Sequence, residues 1–231
     1  MEISAEKTKI MTYCKESSKK EIKVNGQILE SVRNFKYLGS IISDEGSKPE
    51  ILSRIAQTIV ALTKLKPIWN NKNIAISSKI RLLRSLVMSI FLYACESWTL
   101  NADTERRIRA TEMRCYRRLL SISHKEHITN EEVRQRIENA IGPHVDLLTI
   151  VRQRKLKWYG HTTRSSGLAK TIMQGTVNRG RRRGRQKKRW EDNIKESTGL
   201  ELRNTLRIAE DREEWEAVVG RSSMRPDGSQ I

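Results

Sequence analysis

The sequence is short of the residues that secretion or a membrane crossing would require. Among its 231 residues only Cys14, Cys95 and Cys115 are cysteines. An odd, widely spaced set of this kind supports no disulfide framework and predicts a reducing compartment. No apolar run reaches the roughly 18 residues of a spanning helix. The opening MEISAEKTKIMTYCKESSKK has no apolar stretch of the kind a secretory leader carries, so neither secretion nor membrane insertion is expected. Acid is missing in one place above all. Residues 151–189 contain fourteen Lys and Arg and no Asp or Glu, whereas residues 190–231 contain six bases and ten acids. The chain as a whole carries +18, with a pI near 10.1. That excess is larger than solubility needs and predicts a polyanionic partner.

The hydrophobic content, 37%, is enough for a modest core, and its spacing predicts a mainly α chain behind a small N-terminal β region. In EIKVNGQILE, Asn25-Gly26 tolerates the two positive φ angles of a type I′ turn, which predicts a hairpin. NFKYLGSIIS, with Phe35, Tyr37, Leu38, Ile41 and Ile42, reads as a third strand with a bulge or close backbone approach at Gly39. Ser47 and Glu50 have capping-box spacing ahead of Ile51, Ile55, Ile59 and Leu62, a helical stripe that ends at Pro67. Further stripes join Ile80, Leu83, Val87, Ile90 and Ala94 behind a cap at Ser77, and Ile108, Cys115, Tyr116, Leu119 and Ile122. Thr129 and Glu132 form a second capping box before Val133 and Ile137. Pro143 is read as opening a helix through Leu147, Val151 and Trp158. One helix around Trp190 and Ile194 should stop at Gly199, and a last one should carry Leu206, Ala209, Trp215 and Val218.

Catalytic signatures are missing as well. A metal-dependent nucleotidyl transferase needs carboxylates that converge on divalent cations. Asp44 and Glu45 instead lie in a predicted turn, and Glu131 and Glu132 sit in a first helical turn, where they favour the macrodipole. No nucleophile elbow, Walker loop or GxGxxG opening is present. Cys95, Cys115, His124 and His127 are suitable zinc ligands by type, but nineteen residues separate the two cysteines, which lie on separate predicted helices, and that is not structural-zinc spacing. No cofactor is expected.

The strongest positive signal is RGRRRGRQKKR. Arg179, Arg181, Arg182, Arg183, Arg185, Lys187, Lys188 and Arg189 put eight cations into eleven residues punctuated by glycine. Glycine at that density works against a regular core element, and arginine forks suit phosphate oxygens. Upstream, Arg152, Arg154, Lys155, Lys157, His161 and Arg164 extend the candidate nucleic-acid-binding set. Trp158, Tyr159 and Trp190 flank it as possible stacking platforms, or as core anchors beside a solvated nuclear-localisation patch.

The order EKTKIM, a hairpin, NFKYLGSIIS, KIRLLRSLVMSIFLYACESW, RQRKLKWYGHTTR and GRRRGRQKKRWEDNIKE resembles the C-terminal region of reverse transcriptases from non-LTR retrotransposons, along nearly the whole chain. The resemblance implies that Lys7, Thr8 and Lys9 follow the aspartate-bearing turn of the polymerase palm. Tyr37, Leu38 and Gly39, with Phe35, would resemble the strand pair bordering the primer terminus. The helices to Ile122 would resemble the thumb, and the basic segment the nucleic-acid-binding C-terminal region. Family members copy RNA into DNA with two magnesium ions, but their catalytic aspartates lie N-terminal to the part this chain matches. Magnesium would therefore belong to the absent palm, and polymerase activity is not expected.

The resulting expectation has four segments: truncated palm-like strands over 1–46, a thumb-like bundle over 47–142, a basic helix, arginine loop and short helix over 143–199, and a C-terminal helix and tail over 200–231. Function is expected to be sequence-independent RNA or DNA binding by a retrotransposon-derived fragment, in the nucleus or otherwise the cytoplasm. The alternative is a domesticated nuclear scaffold or helical protein-interaction module whose basic loop is an import signal.

Overall fold

The computed structural model describes residues 4, 8–11, 21–174 and 188–222. The chain divides into two units, Met1–Arg54 and Ile55–Ile231. It is mainly α with a small β region at the N-terminal end, as the hydrophobic spacing predicts.

In the first unit, three strand pairs precede the first long helix. β1 (Lys9–Ile10) lies parallel to β4 (Glu30–Ser31), and β2 (Lys23–Val24) pairs antiparallel with β3 (Gln27–Ile28). The turn between β2 and β3 is the expected Asn25-Gly26, with φ of 50° and 80°. NFKYLGSIIS departs from its reading as one bulged strand. It is a second hairpin, β5 (Asn34–Tyr37) against β6 (Ser40–Ser43), turning at Leu38 and Gly39 with φ of 46° and 83°. Leucine is a poor residue for left-handed backbone, so Gly39 is the turn's local mark and the conformation of Leu38 needs tertiary support. α1 (Lys48–Lys64) carries Glu50 and Arg54, both buried. Arg54 donates to the Gly39 carbonyl at 2.5 Å and to Glu50 at 2.6 Å, and Glu50 accepts the Ile41 N–H at 2.6 Å. The carboxylate that the spacing assigns to a capping box therefore holds the hairpin.

The second unit continues α1 and adds α2 (Lys66–Asn70), α3 (Ile76–Leu82), a π-helical stretch Leu83–Met88, α4 (Ser89–Phe91), a 3-10 turn Cys95–Ser97 and α5 (Ala102–Leu119). Then come α6 (Asn130–Ile141), α7 (Leu147–Arg164), α8 (Leu168–Gln174), α9 (Trp190–Thr198), α10 (Leu202–Glu210) and α11 (Arg212–Ser222). The Thr129–Glu132 capping box forms, and Gly199 ends α9 with φ of 70°. Several boundaries move. α3 begins before Ser77, behind Ala75. α7 begins four residues after Pro143, because Asp146 caps it by accepting the Thr149 N–H at 2.6 Å. The single C-terminal helix is two, because Asp211 is extended and its carboxylate accepts the N–H groups of Glu213 and Glu214, starting a new helix there. The π stretch delays the buried stripe by one residue: beyond Val87, the buried positions are Met88, Phe91, Leu92 and Cys95, while Ile90 and Ala94 are half-buried.

One core of the second unit joins Leu156 and Tyr159 of α7, Ile194 of α9, Ala209 of α10, and Trp215, Val218 and Val219 of α11. The Trp215 indole N–H donates to the Leu156 carbonyl at 2.9 Å and lies over Gly160, where any Cβ would collide with the ring. α7 thus commits one face to the interior, which determines what its other face can offer.

Candidate nucleic-acid interface

α7 is fixed at both ends. At its start the Leu147 N–H donates to the buried Glu112 carboxylate at 2.9 Å, and at its end Arg164 donates to the Ala209 carbonyl at 2.7 Å. With Val151, Lys155, Leu156, Tyr159, Gly160, Thr162 and Thr163 turned inward, the exposed positions are Arg154, Lys157, Trp158, His161 and Arg164. Their spacing of three and four residues makes one stripe, cationic or aromatic along its whole length.

The residues read from sequence as phosphate contacts separate into different environments. Lys155 is 1% exposed, and its ammonium donates to the Trp98 carbonyl at 2.6 Å and the Asn193 side-chain oxygen at 2.8 Å, 4.5 Å from the Trp190 ring centre. Burial, reinforced by the charge of Lys188, lowers its pKa to about 7. It joins α7 to α9. Arg152 is half-buried and paired with Glu105 at 3.0 Å, and exposed Arg154 donates to the Leu92 carbonyl at 3.0 Å. Lys157, His161 and Arg189 have exposed side chains. Lys188 pairs with Glu196 at 2.6 Å. Arg179, Arg181, Arg182, Arg183, Arg185 and Lys187 lie outside the described residues.

The aromatics also divide. Trp190 is an anchor: its indole N–H donates to the Glu96 carbonyl at 2.9 Å, and its ring stacks on Tyr159 with 6.2 Å between centroids. Trp158 is 39% exposed and meets Trp190 edge-to-face at 5.3 Å. Beside this pair is a cleft of about 500 Å³, lined by Trp158, Trp190, Ile172 and Met173 together with Glu96, Arg189 and Glu191. Burial raises the pKa of the Glu191 carboxyl.

A cationic groove that the sequence reading passed over lies elsewhere in the second unit, between α1 and α5, where Arg114, Arg117, Arg118 and His124 line about 720 Å³. Arg117 is held there by Asn130 and the Ile128 carbonyl. The spacing of the three arginines in MRCYRR was the available signal. Tyr37, Leu38 and Gly39, likened to a primer-bordering strand pair, come together at the β5–β6 turn with Tyr37 and Leu38 exposed. Among the described residues, no group of three His, Cys, Asp or Glu side chains could hold a metal ion. No described helix is long and apolar enough to cross a membrane.

A predominantly helical chain with an acid-free basic segment and a small β region defines the class. The comparisons narrow it. An uncharacterized transposon-derived protein of Caenorhabditis elegans is 30% identical over 207 residues, covering 84% of this chain and 73% of its own length. The chain belongs to the family of that transposon-derived protein. No family model matches it. No solved structure matches it either.

Proposed function

We propose that this chain descends from the C-terminal region of a non-LTR retrotransposon reverse transcriptase and binds the phosphate backbone of RNA or DNA without sequence preference and without polymerase chemistry of its own. The observation that carries the binding reading is the exposed face of α7, made up of Arg154, Lys157, Trp158, His161 and Arg164, in a stretch of 39 residues without an acid; Arg154 and Arg164 each donate to a neutral backbone carbonyl and keep their charge unpaired by any carboxylate in those bonds. A helix whose free face is wholly cationic or aromatic is suited to a polyanion that also offers flat rings. The retrotransposon origin rests on the transposon-derived relative together with the motif order from NFKYLGSIIS to GRRRGRQKKRWEDNIKE.

Salt dependence tests the reading. Each neutralised phosphate releases condensed counterion, so the logarithm of affinity should fall with the logarithm of salt by roughly 0.7 to 0.9 per contact. Replacing Arg179, Arg181, Arg182, Arg183, Arg185 and Lys187 with Gln should flatten that slope equally for unrelated sequences. Lys188 is left in place because it pairs with Glu196. An unchanged slope in a folded variant would remove this segment from the interface.

A further inference from the structure

The cleft beside Trp158 has a composition that backbone binding alone does not use. Two indoles stand at 79° to each other, forming a corner in which a flat ring laid on one indole turns its edge to the other. Trp190 cannot swing away, being bonded to the Glu96 carbonyl and backed by Tyr159 and the Lys155 ammonium. Trp158 has no such tether and is the more exposed ring. Met173 supplies an adaptable apolar wall. The charged part of the lining is mixed in sign: Glu96 and Glu191 are hydrogen-bond acceptors, and Arg189 is a cation.

An apolar peptide or an acyl chain would fill the walls and leave those three charged groups without polar partners. An unstacked nucleobase uses all of them, with its ring on indole, its amino or imino edge on a carboxylate, and its phosphate toward Arg189. The chain on either side of residues 175–187 is placed at this cleft: Ile172 and Met173 wall it at one end, and Arg189 and Trp190 at the other. That intervening sequence contains six Lys and Arg and no acid. A volume near 500 Å³ is within the range of small-ligand sites.

We propose that the cleft between Trp158, Trp190 and Met173 is a receptor for one unstacked, amino-bearing nucleobase of a single strand, so that the protein selects unpaired over fully paired nucleic acid. The proposal rests on the backbone-binding reading for its phosphate contacts but not for its base contact. The two are therefore separable.

Guanosine, which has no phosphate, probes the cleft alone. Trp69, Trp98 and Trp215 are buried, so quenching by guanosine reports on Trp158 and Trp190. The expected result is saturable quenching of the full-length protein, insensitive to added salt, lost in Trp158→Ala and kept in Trp158→Phe. Single-stranded RNA and DNA of about eight nucleotides, each with an abasic counterpart and a duplex form, probe base and backbone together. Each base-bearing single strand should bind about tenfold tighter than its abasic counterpart, an advantage that W158A abolishes and W158F retains. A preference for one sugar would then name the strand. If W158A loses helix content by circular dichroism, Ile172→Glu carries the test: residue 172 is 70% exposed, and a carboxylate there should remove the advantage while the fold persists.

No quenching by guanosine, with base-bearing and abasic strands bound alike, would overturn the proposal. A steep salt slope in that same result would leave the backbone reading standing. Quenching by guanosine without salt-dependent strand binding would do the reverse. Duplex bound as tightly as single strand would also count against the cleft.

Discussion

Glu112 is a carboxylate with very little water around it. It is 3% exposed, accepts from the Leu147 N–H and the Tyr116 hydroxyl, and has its pKa raised from 4.5 to about 7, first by burial and then by the charge of Asp146. A raised folded-state pKa means that the stability tied to the protonated carboxyl is complete below pH 4.5 and is lost as pH rises through 7. Glu112→Gln keeps the acceptor for Leu147 and removes the titration. The variant should match the wild type near pH 4 and exceed it near pH 8, by at most about 3 kcal/mol, in urea melts at both values. A difference that does not change with pH would refute this account. Gly160 makes the opposite point, that a favourable propensity can lose to packing. Alanine is normally better than glycine inside a helix by about 1 kcal/mol, yet here the added Cβ would run into the Trp215 indole. Gly160→Ala should therefore lower stability by about 1 to 3 kcal/mol, and a raised melting temperature would contradict the packing. Neither role is visible in the sequence. Glu112 reads as one more acid on a helix, and Gly160 as a helical weakness.

Among the elements, the β5–β6 hairpin depends most on something distant in sequence. Its turn residue Leu38 is strained, and Glu50 and Arg54 of α1 hold it through Gly39 and Ile41. Arg54→Met leaves a buried carboxylate unpaired, a change that costs about 3 to 5 kcal/mol where such pairs have been broken. The expected result is faster hydrogen exchange at Ile41 and along β5 and β6. Unchanged exchange there would show that the pair does not hold the turn. The elements legible in the sequence have local chemistry at their boundaries: Asn25-Gly26 for the first hairpin, Thr129 with Glu132 for α6, and Gly199 for the end of α9. The misplaced ones depend on a partner elsewhere or on a local choice that spacing leaves open. The Leu38-Gly39 turn needs Arg54, and the split at Asp211 depends on whether an aspartate caps a helix or lies inside one.

At the scale of the molecule, the charge was legible and its presentation was not. The count over residues 151–189 identifies a cationic segment without any knowledge of the fold. It cannot distinguish Lys155 from Lys157, which are two positions apart and so about 200° apart around α7. One is buried against Trp98 and Asn193, and the other is exposed on the basic stripe. The α1–α5 groove went unread for a related reason, since Arg114, Arg117 and Arg118 become a surface only when α1 packs alongside them. The π-helical stretch Leu83–Met88 bears on how the chain can change in length. A π turn holds one residue more than the α turn it replaces while keeping both flanks facing as they were. That surplus is a place where the gene can lose a codon without turning any core residue outward. Deleting Ser85, which is exposed and bonded only to the Leu82 carbonyl three residues back, should regularise the helix, keep Phe91, Leu92 and Cys95 inside, and shift stability by less than about 1 kcal/mol, or roughly 2 to 4 °C in melting temperature. The same deletion at Ala110, within the regular turns of α5, would swing Cys115 and Leu119 about 100° away from the core and should prevent folding. Of the two frameshift-free losses, a transposon-derived lineage could keep only the first.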